Sequence, residues 1–346
     1  MRHRGFWDNL TAPIIGLSPM DGVTDAAFRH MVAKYSRPSV IMTEFTSVEG
    51  IRAGATRLLD DFEYSEIERP IAAQLFGSDP DAFYIGAIAA AALGFDGIDI
   101  NMGCPAKNVT EKGAGASLIR DPERAKAIVR QAQRAAQDWA NGISARQAGV
   151  PEEVCQLIET RNPTPRRELL PVSVKTRLGY DHSVAEDWMR HLLEVEPVNI
   201  SLHGRTLKQG YTGEADWDEI AKAAAVVHAE AKGITLIGNG DIQSLEDAHD
   251  RIKRYGTDGV LVGRATYGDP WFFSGHEASF EERMQAALEH ARYLHTIFPG
   301  KGFIRIRKHL LDYCRGTDGA KELRMRLMRV NTLEDVEEIL QPFDSK

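Results

Sequence analysis

The amino-acid sequence predicts a (β/α)8 TIM barrel followed by a small C-terminal helical domain. Eight short apolar runs rich in β-branched residues recur before residue 270, and helical segments separate most of them. After Tyr267 only the helical pattern continues. Short strand–helix–strand connections favour parallel pairing, and eight such units suggest a closed barrel, with an open doubly wound sheet as the alternative.

Periodicity gives the strands and helices, and capping residues mark where the helices start. The predicted strands are Ile14–Leu17, Val40–Phe45, Ile71–Phe76, Gly97–Met102, Val172–Leu178, Val198–His203, Ile234–Asn239 and Gly259–Val262. The predicted helices between them are Thr24–Tyr35, Asp79–Leu93, Pro122–Trp139, Val184–Leu193, Trp217–Ala231 and Ser244–Tyr255. Side-chain acceptors at Asp25, Asp79, Asp121 and Ser244 are predicted to cap four of these helices.

The barrel is predicted to occupy residues 1–270 and the helical domain residues 271–346. A polar segment at about 141–170 interrupts the alternation and is predicted to be an insertion made of a helix and loops. The length of 346 residues exceeds the roughly 250 of a typical barrel, which fits one further small domain.

Composition excludes several classes of protein. A hydrophobic content of 43% and a charged content of 27% are typical of globular proteins and exclude disordered or collagen-like chains. No apolar run is long enough to span a membrane, and the first residues lack a signal peptide's apolar region, so we expect a cytoplasmic protein without a membrane partner. The three cysteines form no metal-binding pattern, so we expect no metal.

Charge is strongly segregated along the chain. The net charge is −8, yet the segment from Lys301 to Arg329 carries nine basic residues (301, 305, 307, 308, 315, 321, 324, 326 and 329) and three acids (312, 318 and 322), a net +6. The chain is therefore not uniformly basic, but this segment could contact a polyanion.

Polar residues follow most of the predicted strands, at the end of a barrel where active sites lie. These sequences are Ser18-Pro19-Met20-Asp21-Gly22, Glu44, Gln74, Asn101-Met-Gly-Cys104-Pro105, Lys175-Thr-Arg177, His203-Gly-Arg205, Asn239-Gly-Asp241 and Gly263-Arg264. Each alone is compatible with an ordinary turn. Together they predict an active site at this face of the barrel.

The last two strands predict a phosphate-binding end of this site. Gly238-Asn-Gly-Asp241 and Gly263-Arg264 combine glycines, whose amides can approach an anion, with a cation. Nucleotide triphosphate chemistry is disfavoured because no Gly-x-x-x-x-Gly-Lys-Ser/Thr loop is present. Lys175 and His203 suit the electron-rich edge of a flavin, although Lys175 could instead be a Schiff-base nucleophile.

Cys104 is the one cysteine predicted to be functional. It directly follows a strand, between Gly103 and Pro105, so its thiol is expected to project into the barrel mouth. Asn101, three residues earlier, could hydrogen-bond an amide-like ligand. Cys155 and Cys314 are predicted to be ordinary buried residues.

These motifs resemble the tRNA-dihydrouridine synthase family. The resemblance rests on Ile98-Asp-Ile-Asn-Met-Gly-Cys-Pro105, Lys112-Gly-Ala-Gly-Ala-Ser-Leu118, His203-Gly-Arg-Thr206, Gln209-Gly-Tyr211, Ala215-Asp-Trp217, Gly238-Asn-Gly-Asp241 and Arg307-Lys-His-Leu-Leu-Asp-Tyr-Cys-Arg-Gly316. The family reduces the C5–C6 double bond of specific uridines in tRNA, with electrons from NADPH passing through FMN. Leu207 replaces a basic residue often found there, which leaves the subfamily open.

The resemblance implies a role for particular residues. Cys104 would donate a proton to C5 of the uracil while the flavin delivers hydride to C6, and Asn101 would orient the base. The residues implied to hold FMN are Pro19, Met20, Asp21, Gln74, Lys175, His203, Asn239, Gly240, Asp241, Gly263 and Arg264. Arg205, Tyr211 and the tail cations Arg305, Lys308 and Arg324 are predicted to contact tRNA, and the protein is expected to act as a monomer.

Two other functions remain possible from the sequence. An FMN barrel that acts on a free pyrimidine, of the dihydroorotate or dihydropyrimidine dehydrogenase type, would share an Asn-x-x-Cys-Pro loop but would not need the basic tail. A tRNA-binding chaperone that has lost catalysis would not need Cys104, Lys175 and His203.

Overall fold

The computed structural model describes residues 4–316 and 320–344, so Asp318 of the tail charge count lies outside the described residues. The strands are β1 Ile14–Leu17, β2 Ile41–Met42, β3 Thr46–Ser47, β4 Ile71–Phe76, β5 Gly97–Met102, β6 Val172–Arg177, β7 Asn199–His203, β8 Thr235–Asn239 and β9 Gly259–Val262. The α-helices are α1 Ala26–Tyr35, α2 Val48–Arg52, α3 Pro80–Leu93, α4 Lys107–Thr110, α5 Pro122–Ala140, α6 Glu152–Arg161, α7 Ala185–Leu193, α8 Trp217–Glu230, α9 Leu245–Tyr255, α10 Phe280–Ile297, α11 Ile306–Tyr313, α12 Lys321–Leu327 and α13 Leu333–Leu340. Short 3-10 helices are Gly5–Asn9, Thr56–Phe62, Glu66–Glu68, Gly115–Arg120, Arg264–Thr266, Phe272–Ser274, Phe303–Arg305 and Gln341–Phe343.

The strands form a parallel barrel in the order β1-β9-β8-β7-β6-β5-β4-β2, with β3 also pairing with β4. Between the two ends of this order, Leu17 N donates to Val40 O at 3.0 Å and Ser39 N donates to Ile15 O at 2.9 Å, which brings the first and second strands together. The prediction of a TIM barrel is thus confirmed, and the open doubly wound sheet is excluded.

The second strand position differs from the prediction of one strand over Val40–Phe45. The side chain of Thr43 interrupts the ladder, because its Oγ1 accepts a hydrogen bond from Gln74 N at 2.9 Å and donates to Glu44 O at 2.8 Å. Pairing with β4 resumes only at Thr46. The position therefore holds two strands of two residues each.

Helix capping agrees with the sequence. Asp25, Asp79, Asp121 and Ser244 each accept a first-turn amide, which satisfies donors that have no partner within the helix. No helix of the described residues is long and apolar enough to cross a membrane.

The polar segment at about 141–170 contains α6 flanked by loops. Val154, Cys155 and Ile158 of α6 are buried, and the helix packs on α3. Its apolar residues extend the core that surrounds the barrel.

The C-terminal helices form a second core against the barrel. Ala27 and Met31 of α1 pack with residues of α10 and α11, such as Leu288 and Leu310, and with Leu340 of α13. The helical region is therefore present as predicted, and α1 belongs to both cores. The domain boundary near residue 270 stays a prediction.

Candidate active site

A cavity of about 1300 Å³ opens at the carboxyl ends of the barrel strands. Its lining includes these predicted site residues: Pro19, Met20, Asp21, Asn101, Cys104, Lys175, His203, Arg205, Tyr211, Asn239, Gly240, Asp241, Gly263 and Arg264. Strand register explains the convergence, since Asn101 pairs with Lys175 and His203 pairs with Asn239 across neighbouring strands. Residues as far apart in sequence as Ser18 and Tyr267 thus meet in one site.

Gln74 lies below this cavity rather than in its lining. Its side chain is fully buried, donates to Asp99 Oδ2 at 2.7 Å and accepts from Asn101 Nδ2 at 2.9 Å. Asp99 in turn accepts from Ser173 Oγ at 2.6 Å, and burial raises the pKa of Asp99 to about 6. These hydrogen bonds fix the side chain of Asn101 from below.

Asn101 holds the loop that carries Cys104. Its Oδ1 accepts from Gly103 N at 3.1 Å and from Cys104 N at 2.8 Å. Ala116 N donates to Cys104 O at 3.1 Å, and a Cβ at Gly115 would lie only 2.7 Å from that oxygen. The loop therefore depends on a glycine at this close approach, which also has a positive φ of 60°.

The Cys104 thiol is suited to give up a proton rather than to act as a thiolate. Burial raises its pKa, and the nearby Asp21 raises it further, while the amide of Ala106 and the charges of Arg177 and Lys175 oppose the shift. The thiol is consequently protonated at neutral pH.

Lys175 and His203 both line the cavity, in an environment that disfavours positive charge. Burial lowers the pKa of Lys175 to about 8, helped by the nearby Arg177, and its Nζ donates to Asn239 Oδ1 at 3.1 Å. Burial likewise lowers the pKa of His203 well below its ordinary value, with Arg177 as the next cause. The site thus offers a neutral imidazole and an ammonium group that an anionic ligand would stabilise.

The β8 and β9 ends form a narrow cradle. Asp241, in the left-handed region at φ 57°, accepts from Ala215 N at 2.8 Å and from the guanidinium of Arg264 at 2.6 Å. A Cβ at Gly240 would come within 2.6 Å of the Ala215 Cβ, so a side chain cannot be added there without displacement. The backbone approaches closely here and Arg264 is exposed, and the phosphate-binding end stays a prediction.

Arg205 and Tyr211, the two residues near this site that are expected to contact tRNA, differ in their exposure to solvent. The guanidinium of Arg205 is buried and donates to Asp241 Oδ2 at 2.7 Å and to the carbonyl oxygens of Thr212 and Gly213. These bonds hold the loop, and the expected contact of Arg205 with RNA stays a prediction. Tyr211, at the tip of the same loop, is 69% exposed.

Sequence reasoning did not assign a role to Arg177, which connects two loops of the site. Its Nε donates to Gly103 O at 2.6 Å, and its Nη1 donates to Thr206 O at 3.1 Å and to Gly210 O at 2.9 Å. Its guanidinium also lies 5.7 Å from the ring centroid of Tyr211. The position of Arg177 at the end of a strand indicated a site residue. The three carbonyl oxygens that it binds could not be identified from the sequence.

The basic tail reaches the mouth of the cavity. The guanidinium of Arg315 lies 5.7 Å from the ring of Tyr267, which lines the cavity. Burial and the nearby Asp21 raise the pKa of Asp61 to about 6, and the charges of Arg29 and Arg305 oppose this shift. Among the described residues, Arg305, Lys308 and Arg324 form no ion pair with a carboxylate, in contrast to Arg315, which pairs with Asp312 at 2.7 Å.

Comparisons with known proteins match nearly the whole chain. The family model described as dihydrouridine synthase matches residues 16–140 and 149–346, which leaves 141–148 unmatched within the predicted insertion. A probable tRNA-dihydrouridine synthase of Staphylococcus epidermidis is 34% identical over 99% of this chain and 97% of its own length. Similar proteins are a probable tRNA-dihydrouridine synthase of Staphylococcus aureus, 34% identical over 99% and 96%, and probable tRNA-dihydrouridine synthase 2 of Bacillus subtilis, 32% identical over 99% and 97%.

Proposed function

Because this chain belongs to the dihydrouridine synthase family, we propose that it reduces the C5–C6 double bond of uridines in tRNA with FMN as its prosthetic group. The observation that carries the proposal is the position of a protonated Cys104 thiol in the same cavity as Lys175, His203 and the β8–β9 cradle. Reduction of a C–C double bond by a flavin needs a cofactor site and a proton donor within reach of the same substrate.

FMN fits the polar groups of the cavity. The cradle of Gly240, Asp241, Gly263 and Arg264 would receive the phosphate, since a small anion suits close backbone and a guanidinium. Lys175 and His203 would donate hydrogen bonds to the ring edge. When bound, the flavin supplies the hydride, and we propose NADPH as the source of its electrons.

Cys104 would supply the proton. Hydrogen bonds with Asn101 and Arg177 hold its loop in place. The thiol would therefore lose little conformational entropy when the substrate binds. The remaining hydrogen of Asn101 Nδ2 would be available to the uracil, because the other already bonds Gln74. Gln74 would support the cofactor site through its hydrogen bond with Asn101.

The tRNA would extend from the cavity mouth toward the tail. A base must leave its stack to enter a barrel mouth, and the cations of the tail suit the phosphates that flank it. Arg305, Lys308 and Arg324 are proposed for these contacts, and the exposed Tyr211 for contact with the flipped nucleotide. A free pyrimidine as substrate is not favoured, because the curated relatives are tRNA enzymes by name. Monomeric state and cytoplasmic location stay predictions.

The proposal is tested with purified protein, NADPH and unmodified tRNA transcripts. We expect a yellow protein that releases FMN on denaturation. It should form dihydrouridine in tRNA and should not reduce free uracil. A colourless protein that FMN cannot reconstitute would exclude the flavin. Reduction of free uracil with no reaction on tRNA would instead support the free-pyrimidine enzyme.

A further inference from the structure

Three buried side chains converge where the tail meets the barrel. Asp25 precedes α1 of the barrel, His290 lies on α10 and His309 lies on α11. One ligand atom from each of the three side chains lies within 4.8 Å of the other two, and His309 Nε2 lies 3.8 Å from Asp25 Oδ2. Asp25 Oδ2, His290 Nε2 and His309 Nε2 have no hydrogen-bond partner among the described residues. Such groups are costly to bury without a partner, so something is expected to bind them.

Neighbouring groups engage the other polar atom of two of these side chains. Asp25 Oδ1 accepts from Phe28 N at 3.0 Å, which leaves Oδ2 for a ligand. His290 Nδ1 lies 3.3 Å from the hydroxyl of Tyr313, which leaves Nε2 for a ligand as well. This arrangement, with the second nitrogen of a histidine held by another group, is typical of metal-ligating histidines.

The direct contacts within this cluster are long. His309 Nε2 lies 3.8 Å from Asp25 Oδ2, beyond hydrogen-bond distance, and the buried Arg29 is engaged by Glu68 at 2.9 Å. A ligand between the three side chains would therefore meet polar atoms that no hydrogen bond within the described residues already satisfies.

We propose that Asp25, His290 and His309 bind one divalent transition-metal ion of the zinc class. Two imidazoles and a carboxylate suit zinc, whereas magnesium and calcium prefer oxygen ligands. A common point lies within about 2.8 Å of the three atoms, so each must approach by less than about 1 Å to reach zinc-ligand distances of about 2.0–2.1 Å. Water would supply the fourth ligand.

The ion would join the barrel to the tail. It connects the start of α1 with two tail helices, and α1 already contributes to the core beneath that tail. The position of the basic tail at the cavity mouth would then depend on the metal. The sequence predicted no metal because residues 25, 290 and 309 have none of the close spacings by which ligands are recognised.

Metal content of the full-length protein tests the proposal. Protein purified from zinc-supplemented medium is expected to contain about one zinc per chain. Cobalt added to chelated protein should give visible d–d absorption, and chelation should lower Tm by at least about 5 °C. His290→Gln should lose the zinc and the cobalt spectrum, while His276→Gln, at an exposed histidine paired with Glu282, should keep both.

Two results would overturn the proposal. One is wild-type protein that stays metal-free, shows no cobalt spectrum and keeps its Tm after chelation. The other is equal zinc retention by both variants. If His290→Gln does not fold, the cobalt titration of wild-type protein decides alone. These readouts do not depend on FMN or tRNA, so they are separate from the proposed function.

Discussion

Simultaneous replacement of Arg305, Lys308 and Arg324 by alanine should weaken tRNA binding and flatten its salt dependence. Each cation that meets a phosphate releases counterions, which contributes about 0.7–0.9 to the slope of log K against log salt. Because the three form no ion pair within the described part of the chain, all are available, and the slope should fall by up to about two to three units. Titrations of labelled tRNA at several salt concentrations measure this slope.

A matched control separates specific contacts from a general loss of charge. Arg134, Arg146 and Arg190 are surface cations of the barrel, each paired with carboxylates and none in the cavity lining. Their triple alanine variant has the same change in net charge, yet it should keep most of the slope. If the two variants bind tRNA alike with the wild-type slope, the tail does not contact phosphates and the reasoning fails. FMN content should not change in either variant.

Three further predictions concern buried charge. In flavin-free protein, Lys175→Met should be more stable than wild type below pH 8, and this gain should shrink from pH 8 to 10.5, because burial lowers the lysine pKa to about 8; urea unfolding across this range measures it. Glu44→Gln should raise Tm at pH 8 and change little near pH 4.5, since burial raises the pKa of Glu44 to about 7; an equal gain at both pH values would contradict this. Arg29→Met should cost about 3–5 kcal/mol in the free energy of unfolding by leaving Glu68 buried without its partner, and Arg29→Met with Glu68→Leu should recover much of that loss if the charge is the cause.

The sequence was sufficient for the barrel because its strands and helices have strong local signals. The runs Ile71–Phe76 and Gly97–Met102 match β4 and β5 residue for residue, and the predicted cap at Asp79 forms. The active-site face followed from a rule of the fold, that residues after parallel strands gather at one end. The sequence alone therefore predicts that Cys104 and Lys175 lie in one cavity.

Partners of side chains could not be predicted in the same way. Arg205 and Arg177 are both cations at strand ends, and only the path of the loop at 206–213 shows that they bind carbonyl oxygens there. Asp99 stands between two isoleucines in a buried strand, which marks it as unusual, yet its link to Asn101 through Gln74 depends on the register of β4 and β5. Such contacts are long-range, and periodicity carries no information about them.

The proposed reaction depends on proton donation by Cys104 to a uracil of tRNA in a flavin-containing barrel. Its most direct test is the reoxidation of the reduced flavin by unmodified tRNA, followed by absorbance in wild type and in Cys104→Ala. We expect tRNA to reoxidise the wild-type flavin, whereas the variant should bind FMN and tRNA normally but react about 10²–10⁴-fold more slowly, the usual value of a positioned acid. Reoxidation of the variant at the wild-type rate would remove Cys104 from the mechanism, and wild-type flavin that tRNA does not reoxidise would contradict the claim as a whole.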